Sequence, residues 1–312
     1  MPCTLVRSGT RESQPRLARR RPASVTGVVI ASMFLLATGR AQEARPTAEQ
    51  ILARMDEYFD NYRPALGRLV AEERLVQYVA RGTGSGVNAI RITREIHSDV
   101  AFIDLPGDAG WLGFRDVRTV SNKNVREPGP SLAEVLLRSG EDRLEQARAL
   151  LLAGARHNLG EPRTTNLPTV PLELLRQRHR FRYDVRIEGY DKVEGRRTAM
   201  VVLDEQSTPS VVRRGDGGDL MARVVGWVEP DSGQLWRAEV RLQDPRLIFA
   251  QRHRPTTLRV HFKLHKELGL IVPDRMEEWF YDSVHGDGFG EGRYKNFRRF
   301  DVATRLVPPP GP

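Results

Sequence analysis

The sequence predicts an α+β fold in which a curved antiparallel sheet, an unclosed β-barrel, carries helices over its concave face. Stretches with the period-2 apolar alternation of half-buried strands fill most of the chain. Short turns rich in Pro, Gly and Asp join successive strands, which favours antiparallel pairing. Helical patterns are confined to one opening helix and one middle block and do not alternate with strands, so a parallel sheet is not expected.

The first 41 residues are predicted to be a signal peptide and are therefore excluded from the fold. Four arginines between positions 16 and 21 precede an apolar run at residues 25–37. This run is too short to cross a bilayer core of about 30 Å comfortably. We expect cleavage near Ala41 and a periplasmic or secreted protein without an integral membrane span. Retention of the leader as a membrane anchor is the alternative.

The charge of the mature chain gives little support for nucleic-acid binding. The leader contains seven arginines and one glutamate, so its removal lowers the formal net charge from +9 to +3. No basic run is interleaved with aromatic residues as in RNA- or DNA-binding motifs. Cys3 is the only cysteine and leaves with the leader. The mature protein is therefore expected to contain neither a disulfide nor a thiolate metal ligand.

An amphipathic helix is predicted to open the mature chain, from Thr47 to about Asn61. Thr47 and Gln50 have the spacing of a capping box, and apolar residues recur behind them at helical spacing. Pro64 and Gly67 are expected to end the helix. Two long strands then follow, at residues 69–80 and 88–105, joined by the turn RGTGSGV. That turn lacks the lysine of a phosphate-binding loop.

A block of helices is predicted between the two runs of strands, from about Ser131 to Gln177. Ser131 and Glu134 have the spacing of a second capping box. The segment EDRLEQARALLLAGARHNLG predicts a helix that ends near Gly160, and TVPLELLRQ predicts a shorter one. We interpret the block as an insert in a single domain spanning residues 42–312.

The second half of the chain shows strand patterns throughout. Residues 181–188 alternate between apolar and charged types, and the turn DKVEGR leads into RTAMVVLDEQ. The stretches ARVVGWVEP and LWRAEVRLQ flank the turn PDSGQ, which predicts a hairpin. After TLRVHFKL and RMEEWFYDS, the segment GDGFGEG is predicted to be a Gly-rich loop before a last strand, RYKNFRRFDVA.

Two histidines four residues apart, His261 and His265, have the spacing with which helical zinc sites begin. The apolar alternation around them predicts a strand instead. Lys263 would lie between the histidines on the same strand face and repel a cation, and zinc needs further ligands. We therefore predict a structural or solvated role for the pair, and neither a metal nor another cofactor.

No catalytic constellation is evident, so a non-catalytic protein is predicted. The nucleophile-elbow pattern G-x-S-x-G is absent. Glu277 and Glu278 are adjacent and would face opposite sides of a strand, which disfavours a paired acid–base role. The neighbours Arg115 and Asp116 allow two interpretations: a salt bridge that holds a movable cover, or a surface pair that contributes little.

Taken together, the C-terminal stretches resemble the LolA/LolB-like family of periplasmic lipoprotein carriers and localisation factors. The resemblance covers roughly the last 90 residues and is carried by GWVEPDSGQLWRAEV, LRVHFKL, LGLIVPDRMEEWF and GEGRYKNFRRFDV. The stretches WLGFRDVRTV and ARHNLGEPRTTNLPT are similar to those of exported bacterial proteins of unknown function. The family resemblance implies an unclosed antiparallel barrel with lipid or lipoprotein acyl chains bound between sheet and helices.

Two function classes remain open. One is a carrier or sensor of a hydrophobic ligand; each buried CH₂ of an acyl chain would contribute about 0.8 kcal/mol. The other is an envelope protein-interaction module whose cavity is filled by its own side chains. Seven residues are predicted to line the cavity, with an ordinary core position as the alternative for each. They are Trp111, Trp227, Trp236, Phe262, Leu264, Met276 and Trp279.

Overall fold

The structure, a computed structural model, describes residues 46–81, 90–105, 110–125, 129–247, 254–282 and 286–300. The predicted signal peptide, most of the RGTGSGV turn and the end of the chain after residue 300 lie outside the described residues. In the part of the chain that is described, no helix is both long enough and apolar enough to cross a membrane.

All strands that the structure describes belong to one antiparallel sheet, in the order β4-β3-β2-β1-β12-β11-β10-β9-β8-β6-β5, with β7 paired to β8 outside this path. None of the described pairings joins β4 to β5, so the sheet is not closed and the predicted α+β fold class is confirmed. The strands are β1 (Leu69–Arg81), β2 (Ile90–Leu105), β3 (Gly110–Val120), β4 (Lys123–Asn124), β5 (Tyr183–Val193), β6 (Arg196–Glu205), β7 (Val212–Arg213), β8 (Asp219–Val228), β9 (Leu235–Gln243), β10 (Thr256–His265), β11 (Leu270–Asp282) and β12 (Gly286–Arg299). The helices are α1 (Ala48–Leu66), α2 (Leu132–Leu137), α3 (Gly140–Ala155), α4 (Thr169–Leu174) and two 3-10 helices, Gln177–Arg182 and Pro245–Leu247.

Helix α1 covers one face of the sheet, which we call the inner face. The helix begins with the predicted capping box, and its buried residues recur every three or four positions. They join Leu75, Ile96 and Phe102 of the sheet in one core cluster, which also contains residues of α4. The buried residues of α1 are Ile51, Met55, Phe59, Tyr62 and Leu66.

The opening helix is longer than predicted. It continues through Pro64 and ends at Leu66 instead of near Asn61, and Gly67 caps it. Tyr62 and Leu66 are both buried, so they extend the apolar stripe by a further turn. Their burial offsets the backbone hydrogen bond that Pro64 cannot donate.

Helices also cover the outer face. The sequence had predicted helices over the concave face alone. Residues of α2 and α3 form a separate cluster with Ala101 and Ile103. These two residues alternate along β2 with Val100 and Phe102 of the inner-face cluster, and successive strand residues point to opposite faces. The middle block of helices is therefore divided between the two faces of the sheet.

The segment GDGFGEG is part of strand β12 and not the loop that was predicted. It pairs with β1 on one side and β11 on the other. A Cβ at Gly288 would overlap the ring of Phe280, and a Cβ at Gly290 would lie 3.3 Å from Cγ of Gln77. The period-2 glycines thus leave space on the inner face for large side chains of the neighbouring strands.

Gly288→Ala is expected to lower the free energy of unfolding by about 1–3 kcal/mol, the usual cost of overpacking a core. The new Cβ would lie 2.9 Å from Cδ2 of Phe280, whose ring is buried and has little room to move. Urea denaturation of this variant, alone and in a Phe280→Ala background, measures the coupling. The same cost in both backgrounds would contradict a clash with the ring.

Candidate functional site

A buried polar network lies on the inner face, centred on Glu73 of β1 and Arg115 of β3. The Arg115 guanidinium pairs with the Glu73 carboxylate through two contacts: Nη2 donates to Oε1 at 2.9 Å, and Nε donates to Oε2. The Tyr294 hydroxyl donates to Oε1 at 2.7 Å, and the Ser98 hydroxyl donates to Oε2 at 3.1 Å. All four side chains are buried, so the Glu73 charge is balanced within the protein.

The network determines the protonation states of Arg115 and Tyr294. Burial would lower the pKa of Arg115, but the charge of Glu73 and the hydrogen bonds to it raise that pKa above its ordinary value. Burial, with the charge of Glu73, raises the pKa of Tyr294 well above its ordinary value. Arg115 is therefore charged, and Tyr294 carries the proton that it donates.

A second carboxylate, Glu278 of β11, connects the sheet to the segment that follows α3. Nε of Arg163 donates to Oε1 of Glu278 at 2.7 Å. The same guanidinium lies over Phe280, with its carbon 3.7 Å from the ring centre. Because Glu278 is fully buried, Arg163 provides a counter-charge that solvent cannot supply.

Buried amides join the two carboxylate–arginine pairs. Oδ1 of Asn166 accepts from Nη1 of Arg115 at 2.9 Å, and its Nδ2 donates to Oδ1 of Asn158 at 2.7 Å. Nε2 of Gln77 donates to the same Asn158 oxygen at 2.9 Å, and the backbone N–H of Leu159 donates to Oε1 of Gln77 at 2.8 Å. We call this whole network the polar clamp, because it fastens residues 156–166 to the sheet.

Arg115 and Asp116 form neither the salt bridge nor the surface pair that the sequence suggested. The two neighbours face opposite sides of β3, so they do not pair with each other. Arg115 joins the clamp, while Oδ2 of Asp116 accepts from the backbone N–H of Leu132 at 2.8 Å, at the start of α2. The sequence feature that could have predicted the polar clamp lies in β1, where Glu73 and Gln77 interrupt the otherwise apolar alternation of the buried face.

Five of the seven predicted cavity residues belong to the inner-face cluster. Trp111, Phe262 and Met276 are buried in the inner-face cluster. Trp227 and Trp236 belong to the same cluster and lie beside the register shift between β8 and β9. Leu264 lies near the end of β10 and is 46% exposed, so it does not line an enclosed interior.

Trp279 lies on the outer face, outside the interior predicted for it. It follows Glu278 of the polar clamp along β11, and successive strand residues point to opposite faces. Trp279 packs edge-on against Phe289, with ring centres 5.2 Å apart. Strand alternation therefore places Trp279 outside the sheet–helix interior.

Two clefts open beside Trp111, in the part of β3 whose described pairing is with β2. The apolar cleft, about 250 Å³, is bounded by β3, α3 and α4. The arginine cleft, about 230 Å³, is bounded by α1, β3 and the 3-10 helix after α4. The apolar residues of the first include Trp111, Leu112, Leu151, Leu167, Val170 and Leu174. The charged residues of the second are Asp56, Asp60, Arg63, Arg176 and Arg178.

Glu173 of α4 contacts residues that line the two clefts. It accepts from the backbone N–H of Trp111 at 3.0 Å and lies 2.9 Å from Nε2 of His179. Its oxygens also lie 3.3 Å from Arg176 and 3.4 Å from Arg178. Burial would raise the pKa of Glu173, but these hydrogen bonds and positive charges outweigh it and lower the pKa. Glu173 is therefore a carboxylate shared by several cationic groups.

The two histidines lie on strand β10, as predicted. Nε2 of His261 is 3.7 Å from Oε2 of Glu277. Burial and the positive charge of Arg275 lower the pKa of His261, which favours its neutral form. Over the described ranges, no group of three His, Cys, Asp or Glu side chains is arranged to hold a metal ion.

No family model and no curated protein match this chain, but several solved structures are similar to it. An outer membrane lipoprotein-sorting protein domain from Vibrio parahaemolyticus is 11% identical over 83% of this chain and 95% of that chain, with a TM-score of 0.40. A LolA superfamily protein from Nitrosomonas europaea is 12% identical over 82% and 94%, with a TM-score of 0.35. A DUF1329 family protein from Desulfovibrio piger is 14% identical over 81% and 91%, with a TM-score of 0.36. All three TM-scores are below 0.5.

Proposed function

We propose that this chain is an exported, non-catalytic protein that binds a hydrophobic ligand, a lipid or the acyl chain of a lipoprotein, between its sheet and its helices. The apolar cleft is the observation that carries the proposal. There the inner-face core, through Trp111 and Leu174, reaches the surface beside Leu151 of α3 and Val170 of α4. A concave, mainly apolar surface with a few polar groups is typical of small-molecule sites.

The size of the apolar cleft indicates how a ligand would enter. At about 250 Å³, it is slightly smaller than the roughly 300–1,000 Å³ of sites that bury drug-sized ligands. It can take one end of an acyl chain, and a longer chain requires α4 or the segment after α3 to move outward. Each CH₂ that replaces their contacts with the inner face contributes about 0.8 kcal/mol, so a long chain can offset that movement.

Leu151→Asp is expected to weaken binding of a fluorescent fatty acid at least tenfold, because a carboxylate in the apolar cleft must lose its hydration when a chain enters. Leu152→Asp is the matched control, since Leu152 is the next residue of α3, is 58% exposed and does not line the cleft. Val170→Trp tests the same site by filling it without adding charge. Fluorescence titration measures affinity, and circular dichroism verifies the fold. Equal affinities of all variants would contradict this site, and absence of binding by the unsubstituted protein would contradict the function.

A protein-interaction module on the same fold is the second candidate. The interior between α1, α4 and the sheet is filled by the chain's own side chains, as that function predicts. Leu137 and Leu152 are also exposed on α2 and α3. A stable complex with another envelope protein, without uptake of lipid, would favour this candidate.

A further inference from the structure

We infer that the ligand carries an acyl carbonyl oxygen at the end of its chain, and that Nε1 of Trp111 donates a hydrogen bond to this oxygen. The inference rests on the proposed function and names the chemical group that is recognised and the residue that recognises it. Trp111 lines the apolar cleft and also the arginine cleft. A chain bound in the apolar cleft therefore has the indole at the boundary where its polar end would lie.

The indole N–H of Trp111 is a buried donor without a partner. Trp111 is only 6% exposed, and its Nε1 forms no hydrogen bond with any of the described residues. Buried donors are rarely left unpaired, because an unpaired donor has lost its hydration without a replacement. Tyr62, Tyr183 and Trp236 also have a buried polar group without a described partner, but none of these three lines either cleft. The donor of Trp111 is therefore the one that lies beside a bound ligand.

The indole of Trp111 packs against α1 and is covered by α4. The rings of Phe59 and Tyr62 in α1 meet it edge-on, with ring centres 6.0 and 5.8 Å away. On the other side, Oε2 of Glu173 in α4 accepts from the backbone N–H of Trp111 at 3.0 Å, and Val170 of α4 lines the apolar cleft. An outward movement of α4 that admits a longer chain therefore uncovers the indole, while the contacts with α1 keep the ring in place.

The chemistry of this donor favours a carbonyl oxygen. The indole N–H of tryptophan donates one hydrogen bond and accepts none. A carbonyl oxygen accepts and brings no donor of its own, so the two groups satisfy each other. A hydroxyl would bring a further donor, which would need another acceptor in a mainly apolar cleft. Acyl esters and fatty acids both provide the carbonyl, and an acyl chain already ends in one.

Three probes that share one chain length test for the carbonyl: methyl decanoate, decanoic acid and 1-chlorodecane. Displacement of a fluorescent fatty acid, below the solubility limit of each probe, measures its affinity. The ester, the acid or both are expected to bind about fivefold or more tightly than the chloride, as the usual net contribution of one hydrogen bond implies. Preference for the ester would identify an esterified acyl chain as the ligand, and preference for the acid a free fatty acid.

The indole signals of a proton–nitrogen correlation spectrum report the hydrogen bond directly. The Nε1 proton of Trp111 is expected to move downfield when the ester or the acid binds, and to move less when the chloride binds, because only the first two offer a carbonyl oxygen. Loss of one indole signal in Trp111→Phe assigns that signal.

Trp111→Phe is expected to remove the preference, so that the ester, the acid and the chloride bind about equally. Phenylalanine keeps an aromatic ring beside Phe59 and Tyr62 but has no N–H. Trp236→Phe is the matched control, because Trp236 is equally buried, its Nε1 likewise has no described partner, and it lines neither cleft. This control is expected to keep the preference, and thermal unfolding verifies that both variants fold. If Trp111→Phe does not fold, the response of the indole signals to the three probes in the unsubstituted protein decides.

The outcomes distinguish this inference from the function on which it rests. Equal affinities of the unsubstituted protein for all three probes, or indole signals that respond equally to all three, would overturn the carbonyl contact and leave hydrophobic binding in place. Loss of the preference in both variants would overturn the assignment to Trp111. No binding of any probe would overturn both the inference and the proposed function.

Discussion

Gly233→Ala is expected to lower the free energy of unfolding by about 2–5 kcal/mol although it adds only one methyl group. Gly233 lies in the turn between β8 and β9 at φ +70°, a left-handed conformation that costs an L-residue roughly 1–2 kcal/mol. The new Cβ would also overlap the carbonyl of Arg54 and lie 2.6 Å from the backbone nitrogen of Met55. These are backbone atoms of α1, which cannot turn aside as a side chain can, so overpacking adds about 1–3 kcal/mol.

Gly195→Ala separates the cost of the left-handed conformation from the cost of the contact with α1. Gly195 lies in the turn between β5 and β6 at φ +77°, and a Cβ there would meet nothing within 4 Å. It is expected to cost only the roughly 1–2 kcal/mol of the left-handed conformation. Urea denaturation of both variants measures the difference, which reports the contact of the turn with α1. Equal losses would show instead that α1 shifts away from the turn at little cost.

The contact at Gly233 bears on how a ligand could enter, because it is one of several that fasten α1. Nη1 of Arg54 donates to the carbonyl of Pro230 at 2.8 Å, in the same turn, and Asp56 pairs with Arg180. The apolar cleft opens away from these contacts, between β3, α3 and α4. We therefore expect α4 and the segment after α3, and not α1, to move when a chain enters.

Local features of the fold were predictable from the sequence. The capping boxes at Thr47 and Ser131 form as predicted, because they depend on residues three positions apart. The turns DKVEGR and PDSGQ join β5 to β6 and β8 to β9, because short turns between period-2 segments specify hairpins. These signals require no knowledge of the rest of the chain.

Features that depend on distant partners were not predictable. GDGFGEG resembles a loop by composition, and only its pairing with both β1 and β11 shows why glycine is needed. The partners of Glu73 and Glu278 could not be assigned either, because Arg115 and Arg163 reach them through register and through the path of the segment after α3. The outer-face position of Trp279 is different, since strand alternation alone could have predicted it.

Arg115→Met is expected to lower the free energy of unfolding by about 3–5 kcal/mol, the usual cost of removing one partner of a buried ion pair. Methionine keeps most of the apolar stem but leaves the Glu73 carboxylate, among the described residues, with the hydroxyls of Tyr294 and Ser98 as its donors. Asn166 loses a partner as well, so residues 156–166 should also exchange their amide hydrogens faster than in the unsubstituted protein.

Arg118→Met on the same strand is the matched control for Arg115→Met. Arg118 is 47% exposed and lies 3.8 Å from Asp99, so its loss is expected to cost no more than about 1 kcal/mol. A Glu73→Leu, Arg115→Met double variant should recover part of the stability, because it leaves no unpaired buried charge. Urea denaturation of all three variants, with hydrogen exchange of residues 156–166, measures these effects. Equal losses for Arg115→Met and Arg118→Met would mean that the polar clamp does not hold residues 156–166. The segment after α3 would then have to be held against the sheet by apolar packing alone.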